Sequence, residues 1–154
     1  GGNTMADTQT TAQLGTYKKV DVETTSQEKL IVLLFNGAIQ RAEEAKRQIA
    51  AGSIDNVHNN LIRAQEILGE LRGALDMSTG AIAQNLDRIY EYLQHLLITA
   101  NVQKTVPPIE ECLSHLTTLR DTWKEAFEKL ADENQPTKAP LINQHGASLM
   151  NIKG

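Results

Sequence analysis

Six consecutive apolar residues, Leu30 to Phe35, lie near the start of a long stretch with helical periodicity. Successive side chains on a helix are about 100° apart, so this run and the apolar positions after it cover an arc of roughly 260°. Those later positions are Ala38, Ile39, Ala42, Ala45 and Ile49. A helix that packs on one neighbouring layer needs a stripe only somewhat wider than about 100°. We therefore expect this helix either to lie in the middle of a bundle or to keep apolar surface for a partner.

The composition restricts the class of protein. The chain has 154 residues, of which 40% are hydrophobic, and this is enough for one globular domain with its own core. No apolar run approaches the roughly 20 residues that span a bilayer, and no basic-then-apolar signal peptide opens the chain. The single cysteine, Cys112, cannot form an internal disulfide, which fits a reducing compartment. These features predict a cytoplasmic protein with no membrane insertion.

Charge and aromatic content argue against nucleic-acid binding. The net charge is −4, and the Lys and Arg residues are scattered among Asp and Glu, so that no basic stripe forms. Aromatic residues make up 4% of the chain and form no stacking platform.

Tails are predicted at both ends of a helical domain. Residues 1–16 begin with a stretch before Met5 that resembles a cloning remnant and continue as a Thr- and Gln-rich tail. Tyr17, Val20 and Val22 are too widely spaced for a core helix and suit a short segment laid against another surface. The helical domain is predicted over residues 17–131. Residues 132–154 contain Pro and polar residues that break any helix, and they are predicted to be a flexible tail.

Start and stop signals divide the domain into four helices. Thr25 and Glu28 form a capping box that predicts a start near Ser26, and Gly52 predicts the end after Ala51. The second helix is predicted to begin after Ser53, with Ile67 and Ala74 widening its apolar stripe. The third helix follows Gly80 and carries Ile82, Leu86, Ile89, Leu93, Leu96 and Leu97 on one face. The fourth begins at Pro107-Pro108 and has a narrow stripe that includes Cys112, Trp123 and Phe127. We therefore predict an all-α fold, an antiparallel up-and-down four-helix bundle with a short N-terminal cap segment and flexible tails.

Catalytic motifs are missing from the sequence. Glu91 and His95, and Glu111 and His115, have i, i+4 spacing, but neither pair has the inward-facing Glu set of a di-iron bundle. Cys112 lies on an apolar stripe three residues from His115, with no third group to orient that histidine. No Gly-rich phosphate loop or nucleophile elbow occurs. The sequence predicts a non-enzymatic protein with no metal and no cofactor.

Surplus apolar surface on the first two helices is the remaining functional signal. Each helix of a four-helix bundle normally contacts two neighbours and leaves one side to solvent. Leu33 lies farthest around the first helix from its fellow apolar residues and is the best candidate for exposure. An exposed stripe of this kind is typical of a groove that binds a partner helix.

Several stretches of the chain, in this order and at these intervals, resemble the FliS family of flagellin export chaperones. They are residues 17–39, with Phe35-Asn36-Gly37-Ala38; residues 60–71; Leu75-Asp76; residues 86–93; Ala100-Asn101; and residues 119–123, which end in Asp121-Thr122-Trp123. The resemblance implies a bundle that binds the C-terminal segment of flagellin, prevents its premature polymerisation and hands it to the flagellar export gate. It leaves open whether other flagellar regulatory proteins also bind. This chain departs from the family in its longer Thr-rich start and in residues 134–154, which we interpret as a second cap, a partner-binding tag or an unstructured tail.

In this family the N-terminal segment with the tyrosine is thought to lie over the groove when client is absent, and Tyr17, Val20 and Val22 match that segment. The residues predicted to contact the client or the cap are Tyr17, Val20, Val22, Leu30, Leu33, Leu34, Ile67, Leu71 and Tyr90. Core packing is the alternative for each of them, above all for Leu34, Leu71 and Tyr90, whose helical angles border the inward face. The alternative function is a structural role as a constitutive homo-oligomer. Its subunits would bury the surplus apolar surface of the first helix between them.

Overall fold

Four helices form the part of the chain that the computed structural model describes, which is the backbone of residues 16–132 and the side chains of residues 26–132. They are α1 (Thr16–Ala51), α2 (Ile54–Gly73), α3 (Ala81–Gln103) and α4 (Pro107–Asp132), with a 3₁₀ turn at Met77–Thr79 before α3. The main contacts join α1 to α2, α2 to α3, α3 to α4, and α4 back to α1. The predicted four-helix bundle is confirmed, and its helices pack in sequence order around one core.

The ends of the helices follow local backbone chemistry. Gly52 adopts a φ of 77°, the left-handed conformation that closes a helix without strain in a residue that lacks Cβ. Lys104 ends α3 in the same region, with a φ of 55°. Its ammonium donates to the Asn101 carbonyl (2.6 Å) and side-chain oxygen (2.8 Å), and the first bond satisfies a carbonyl in the last turn of the helix. The Asp76 carboxylate accepts from the Ser78 backbone N–H at 3.1 Å and caps the 3₁₀ turn.

The predicted start of the first helix is wrong. α1 begins at Thr16 rather than near Ser26, so that Thr25 and Glu28 lie inside the helix. Neither Pro nor Gly occurs between residues 16 and 36, and a capping box does not by itself interrupt a helix that can continue. The predicted tails lie outside the described residues, apart from Thr16 and Asp132, the first and last helical positions.

The core contains most of the predicted stripes. Ile31, Phe35 and Ala38 of α1 are buried in the bundle, and Ile39 is partly buried against the core. α1 and α2 approach closely at Gly37, where a Cβ atom would lie 3.3 Å from Cδ1 of Ile67. This close approach buries Ile67, which the sequence analysis had placed on a surplus edge of the second helix.

Polar side chains connect α2 to α3 along their shared face. The Arg72 guanidinium donates to both carboxylate oxygens of Asp87, at 2.9 and 3.2 Å, and to the side-chain oxygen of Gln94 at 2.9 Å. Gln94 in turn donates to the Gln65 carbonyl at 3.0 Å. The bonds from Arg72 hold the pKa of the Asp87 carboxyl below its usual value. A bidentate pair of this kind fixes the relative position of two helices as well as contributing energy.

Two glycines at the ends of helices should respond oppositely to alanine. Gly52→Ala should lower the free energy of unfolding by about 1 kcal/mol, because an L-residue is strained in the left-handed region. Gly73→Ala, at the last position of α2, should raise it by about 0.4 to 1 kcal/mol, because its Cβ meets no atom within 4 Å and its φ is not positive. Urea unfolding followed by circular dichroism measures both. Equal effects of the two substitutions would contradict the assigned backbone conformations.

Candidate functional site

An apolar groove lies between the N-terminal half of α1 and the end of α4. It encloses about 540 Å³ and is lined by Glu28, Lys29, Val32, Leu33, Lys124, Phe127, Glu128 and Ala131. Leu33 is 64% exposed, and the predicted exposure of this residue is confirmed. Two acidic and two basic side chains are among the lining residues, so the surroundings of the groove carry no net formal charge. We refer to this surface as the α1/α4 groove.

An aromatic cluster fixes one wall of the α1/α4 groove. The Phe127 ring lies 5.3 Å from the ring of Trp123, centroid to centroid. The Trp123 indole N–H donates to the Tyr90 hydroxyl at 3.2 Å, and the Tyr90 ring meets Phe35 in an edge-to-face contact at 6.1 Å. Because Phe127 belongs both to the groove and to this buried cluster, the position of the groove wall is set by core packing.

The predicted contact residues do not all lie on this surface. Leu33 is exposed in the groove, and Leu30 is half-buried and packs against the core. Leu34, Ile67, Leu71 and Tyr90 are buried in the described bundle, which is the core placement that the sequence analysis kept as their alternative. The structure describes the backbone of Tyr17, Val20 and Val22, which is part of α1, but not their side chains. Contact of any of these residues with a client stays a prediction.

Exposed apolar residues on α3 were missed by the sequence analysis. Ile82 and Ile89, assigned there to the inward face, are exposed, because Ala83, Tyr90 and Leu97 take the core positions of that helix. Ile98 and Val102 are also exposed, Val102 by 79%. Ile98 and Val102 are four positions apart and lie off the main apolar stripe of α3. This spacing was the signal that could have revealed a second apolar edge.

Two smaller grooves border α3. One lies against α4, holds about 430 Å³ and has Ile89, Tyr92 and Leu119 among its lining residues. The Tyr92 hydroxyl donates to the Glu111 carboxylate, and this bond raises the pKa of the phenol. The other groove lies against α2 and holds about 410 Å³, with Ile62, Ile98 and Val102 in its lining. Apolar side chains therefore line the α1/α4, α3/α4 and α2/α3 grooves.

Of the residues considered for catalysis, Cys112 is buried and His115 lies on the surface. The Cys112 thiol lies in the core beside the Leu93 carbonyl, 3.9 Å from its sulfur, and burial raises its pKa to about 12. His115 pairs with Glu111 at 3.6 Å on the surface. Among the side chains of residues 26–132, no group of three or more His, Cys, Asp and Glu could hold a metal ion. None of the helices in the described part of the chain is long and apolar enough to cross a bilayer.

The fold and its grooves define a class of protein, a four-helix bundle with exposed apolar grooves between its helices. A profile of the family described as "Flagellar protein FliS" matches residues 10–130. The chain belongs to the FliS family.

Three relatives illustrate the similarity. The flagellar secretion chaperone FliS of Bacillus subtilis (strain 168) is 27% identical over 112 residues, which cover 73% of this chain and 84% of the relative. The protein of the same name from Vibrio cholerae is 28% identical over 117 residues, 73% of this chain and 86% of the relative. The one from Escherichia coli (strain K12) is 30% identical over 122 residues, 78% and 88% of the two chains.

Tyr90→Phe should lower the free energy of unfolding by about 1 to 3 kcal/mol, because it leaves the buried Trp123 indole N–H without its acceptor. Tyr92→Phe is the matched control, since its hydroxyl bond lies on the surface, and its effect should stay within about 0.5 kcal/mol. Urea unfolding followed by Trp123 fluorescence gives both values. Equal stability of the two variants would contradict a buried bond at Tyr90.

Proposed function

We propose that this protein is a cytoplasmic export chaperone that binds the C-terminal region of flagellin, prevents its premature polymerisation and assists its delivery to the flagellar secretion apparatus. Membership of the FliS family supports the proposal, as do relatives named flagellar secretion chaperones. The observation that carries it is the exposure of Leu33 in an apolar groove between two helices.

The chemistry of the α1/α4 groove suits an amphipathic helix. Val32, Leu33 and Phe127 offer apolar contact. Each of the two helices also contributes one acidic and one basic residue to the lining of the groove. A client helix would place residues at i, i+3, i+4 and i+7 into such a groove. Its polar face would remain in water, so little polar surface would need to be desolvated.

Apolar grooves on both sides of α3 suggest that the client contacts more than one surface. Ile89 and Tyr92 face one of these grooves, and Ile98 and Val102 face the other. A segment that orders on binding loses conformational entropy, and a large apolar contact area is needed to offset that cost. We propose that flagellin passes over several of the grooves, and that the α1/α4 groove takes a helical part of it.

Holding flagellin in this way explains both parts of the proposed role. Free apolar segments that form helices would associate with one another and begin a filament inside the cell. Covering them on a bundle removes that surface, and non-covalent binding leaves the client available for release at the export gate. No covalent chemistry is needed for either step.

Leu33→Asp should weaken binding of the flagellin C-terminal segment by about tenfold or more. Burial of a leucine side chain is worth about 1.5 to 3 kcal/mol, and about 1.4 kcal/mol corresponds to a factor of ten. The helical circular dichroism signal should be unchanged, because Leu33 contributes little to the core. Isothermal titration calorimetry with the C-terminal segment of flagellin from the same organism measures the affinity.

Ile54→Asp is the matched control for this experiment. Ile54 is also 64% exposed, but it lies at the first position of α2 and does not line the α1/α4 groove. Its substitution should leave the affinity nearly unchanged. Equal losses at both positions would contradict the groove assignment, and no saturable binding by the unsubstituted protein at micromolar concentration would contradict the proposed function itself.

A structural homo-oligomer is the second candidate, and the exposed α3 residues Ile82 and Val102 favour it. A stable dimer would bury both edges of α3 in a self-complementary contact. The export chaperone proposal predicts that the bundle sediments as a monomer at micromolar concentration, with its grooves free. Sedimentation velocity over a range of dilutions distinguishes the two, since a species of twice the mass that persists on dilution would favour the oligomer.

A further inference from the structure

The chain that follows α4 emerges beside the α1/α4 groove. Ala131 lines the groove, and α4 ends one residue later at Asp132. Any segment that follows is therefore tethered next to the apolar surface. A short tether gives an effective concentration of about 1 mM, at which even a weak contact is populated.

Residues 133–140 supply the length that a return to the groove requires. Leu141 follows Asp132 by nine positions, and nine residues can span up to about 30 Å. The groove extends along α4 from Lys124 to Ala131, which is about 10 Å of helix. Pro136 and Pro140 oppose a straight helical continuation of α4, because proline lacks a backbone N–H and disfavours helix in the residue before it.

The composition of residues 141–152 matches the groove. This segment contains Leu141, Ile142, Leu149, Met150 and Ile152, and it has no Asp, Glu, Lys or Arg. The groove has an apolar centre, and its two acidic and two basic lining residues cancel in charge. The apolar side chains of this segment can enter the groove without desolvating an Asp, Glu, Lys or Arg of their own.

The segment before the bundle is a poorer occupant of the same groove. Residues 16–25 continue α1 as a helix, which extends about 18 Å beyond Glu28 rather than returning over the groove. That stretch also carries Lys18, Lys19, Asp21 and Glu23. Covering the groove would require a break in α1 and the partial desolvation of charged side chains.

We infer that residues 141–152 fold back over the α1/α4 groove and compete with the client for it. The competition rests on the proposed function, whereas the contact between segment and groove does not. The contact is an autoinhibitory one: it covers Leu33 and Phe127 in the empty protein and is displaced when client binds. A client that covers a larger surface than this segment displaces it without any change in the bundle.

Thiol labelling in the full-length protein tests the contact without any client. Leu33→Cys and Ile54→Cys place a thiol at two sites that are equally exposed in the bundle, at 64%. Cys112 is buried and gives a low background. Adding Leu141→Asp, Ile142→Asp and Leu149→Asp should speed maleimide labelling at position 33 by about threefold or more, and should leave labelling at position 54 unchanged.

The matched control adds the same charge without removing an apolar residue. Asn143→Asp, Gln144→Glu and Asn151→Asp should leave the labelling rate at position 33 close to that of the unsubstituted segment. The inference is overturned if the Leu and Ile substitutions do not change the rate, if the control set changes it equally, or if position 54 responds as strongly. It is also overturned if protection at position 33 rises with protein concentration, which would indicate a second copy, or if Tyr17→Asp with Val20→Asp releases it instead.

Calorimetry with the flagellin C-terminal segment then tests the competition. The protein with Leu141→Asp, Ile142→Asp and Leu149→Asp should bind this client about threefold more tightly or better, because the covered fraction of the groove no longer lowers the apparent affinity. Equal affinities for the two proteins would overturn the competition. Absence of client binding by both would contradict the proposed function, and the labelling result would still decide whether the segment covers the groove.

Discussion

The side chain of Tyr90 joins three of the four helices. It extends from α3, accepts a hydrogen bond from Trp123 of α4 and contacts the ring of Phe35 in α1. Burial raises the pKa of its phenol to about 12. Because Trp123 also packs on Phe127, the same cluster sets the wall of the α1/α4 groove. The wall of this candidate binding surface is therefore part of the core rather than a loop added to it.

A ring of four helices leaves one side of each helix without a neighbour. In α1 the apolar arc extends onto this side at Leu33, and in α3 it extends onto both edges, at Ile89 and at Val102. Leu33 and Val102 are mostly exposed in the bundle and Ile89 is partly exposed. Exposed apolar side chains that cluster in grooves are typical of interaction surfaces. Their spread over three grooves fits the long client proposed above, because an extended chain can contact all three.

The sequence predicted the helices best where a residue has a narrow choice of backbone conformation. Gly52 ended α1 and Pro107 began α4 as expected, since both positions have few alternatives. The start of α1 was wrong because the capping pattern at Thr25 is compatible with a helix interior as well as with an end. Among the site residues, the angle of Leu33 around α1 was enough to predict its exposure, whereas Ile67 was assigned to an edge that α1 covers.

By itself, the sequence determined the number of helices, their order and the excess of apolar surface, because each of these depends on periodicity along a single helix. Its motifs also determined the family. Only the tertiary structure decided which surplus residues lie in the core and which are exposed. The absence of a side chain at Gly37 allows α1 to cover Ile67, and the choice of Tyr90 as a core residue turns Ile82 and Ile89 outward. Both outcomes depend on the distance and rotation between neighbouring helices, which no single helical pattern contains.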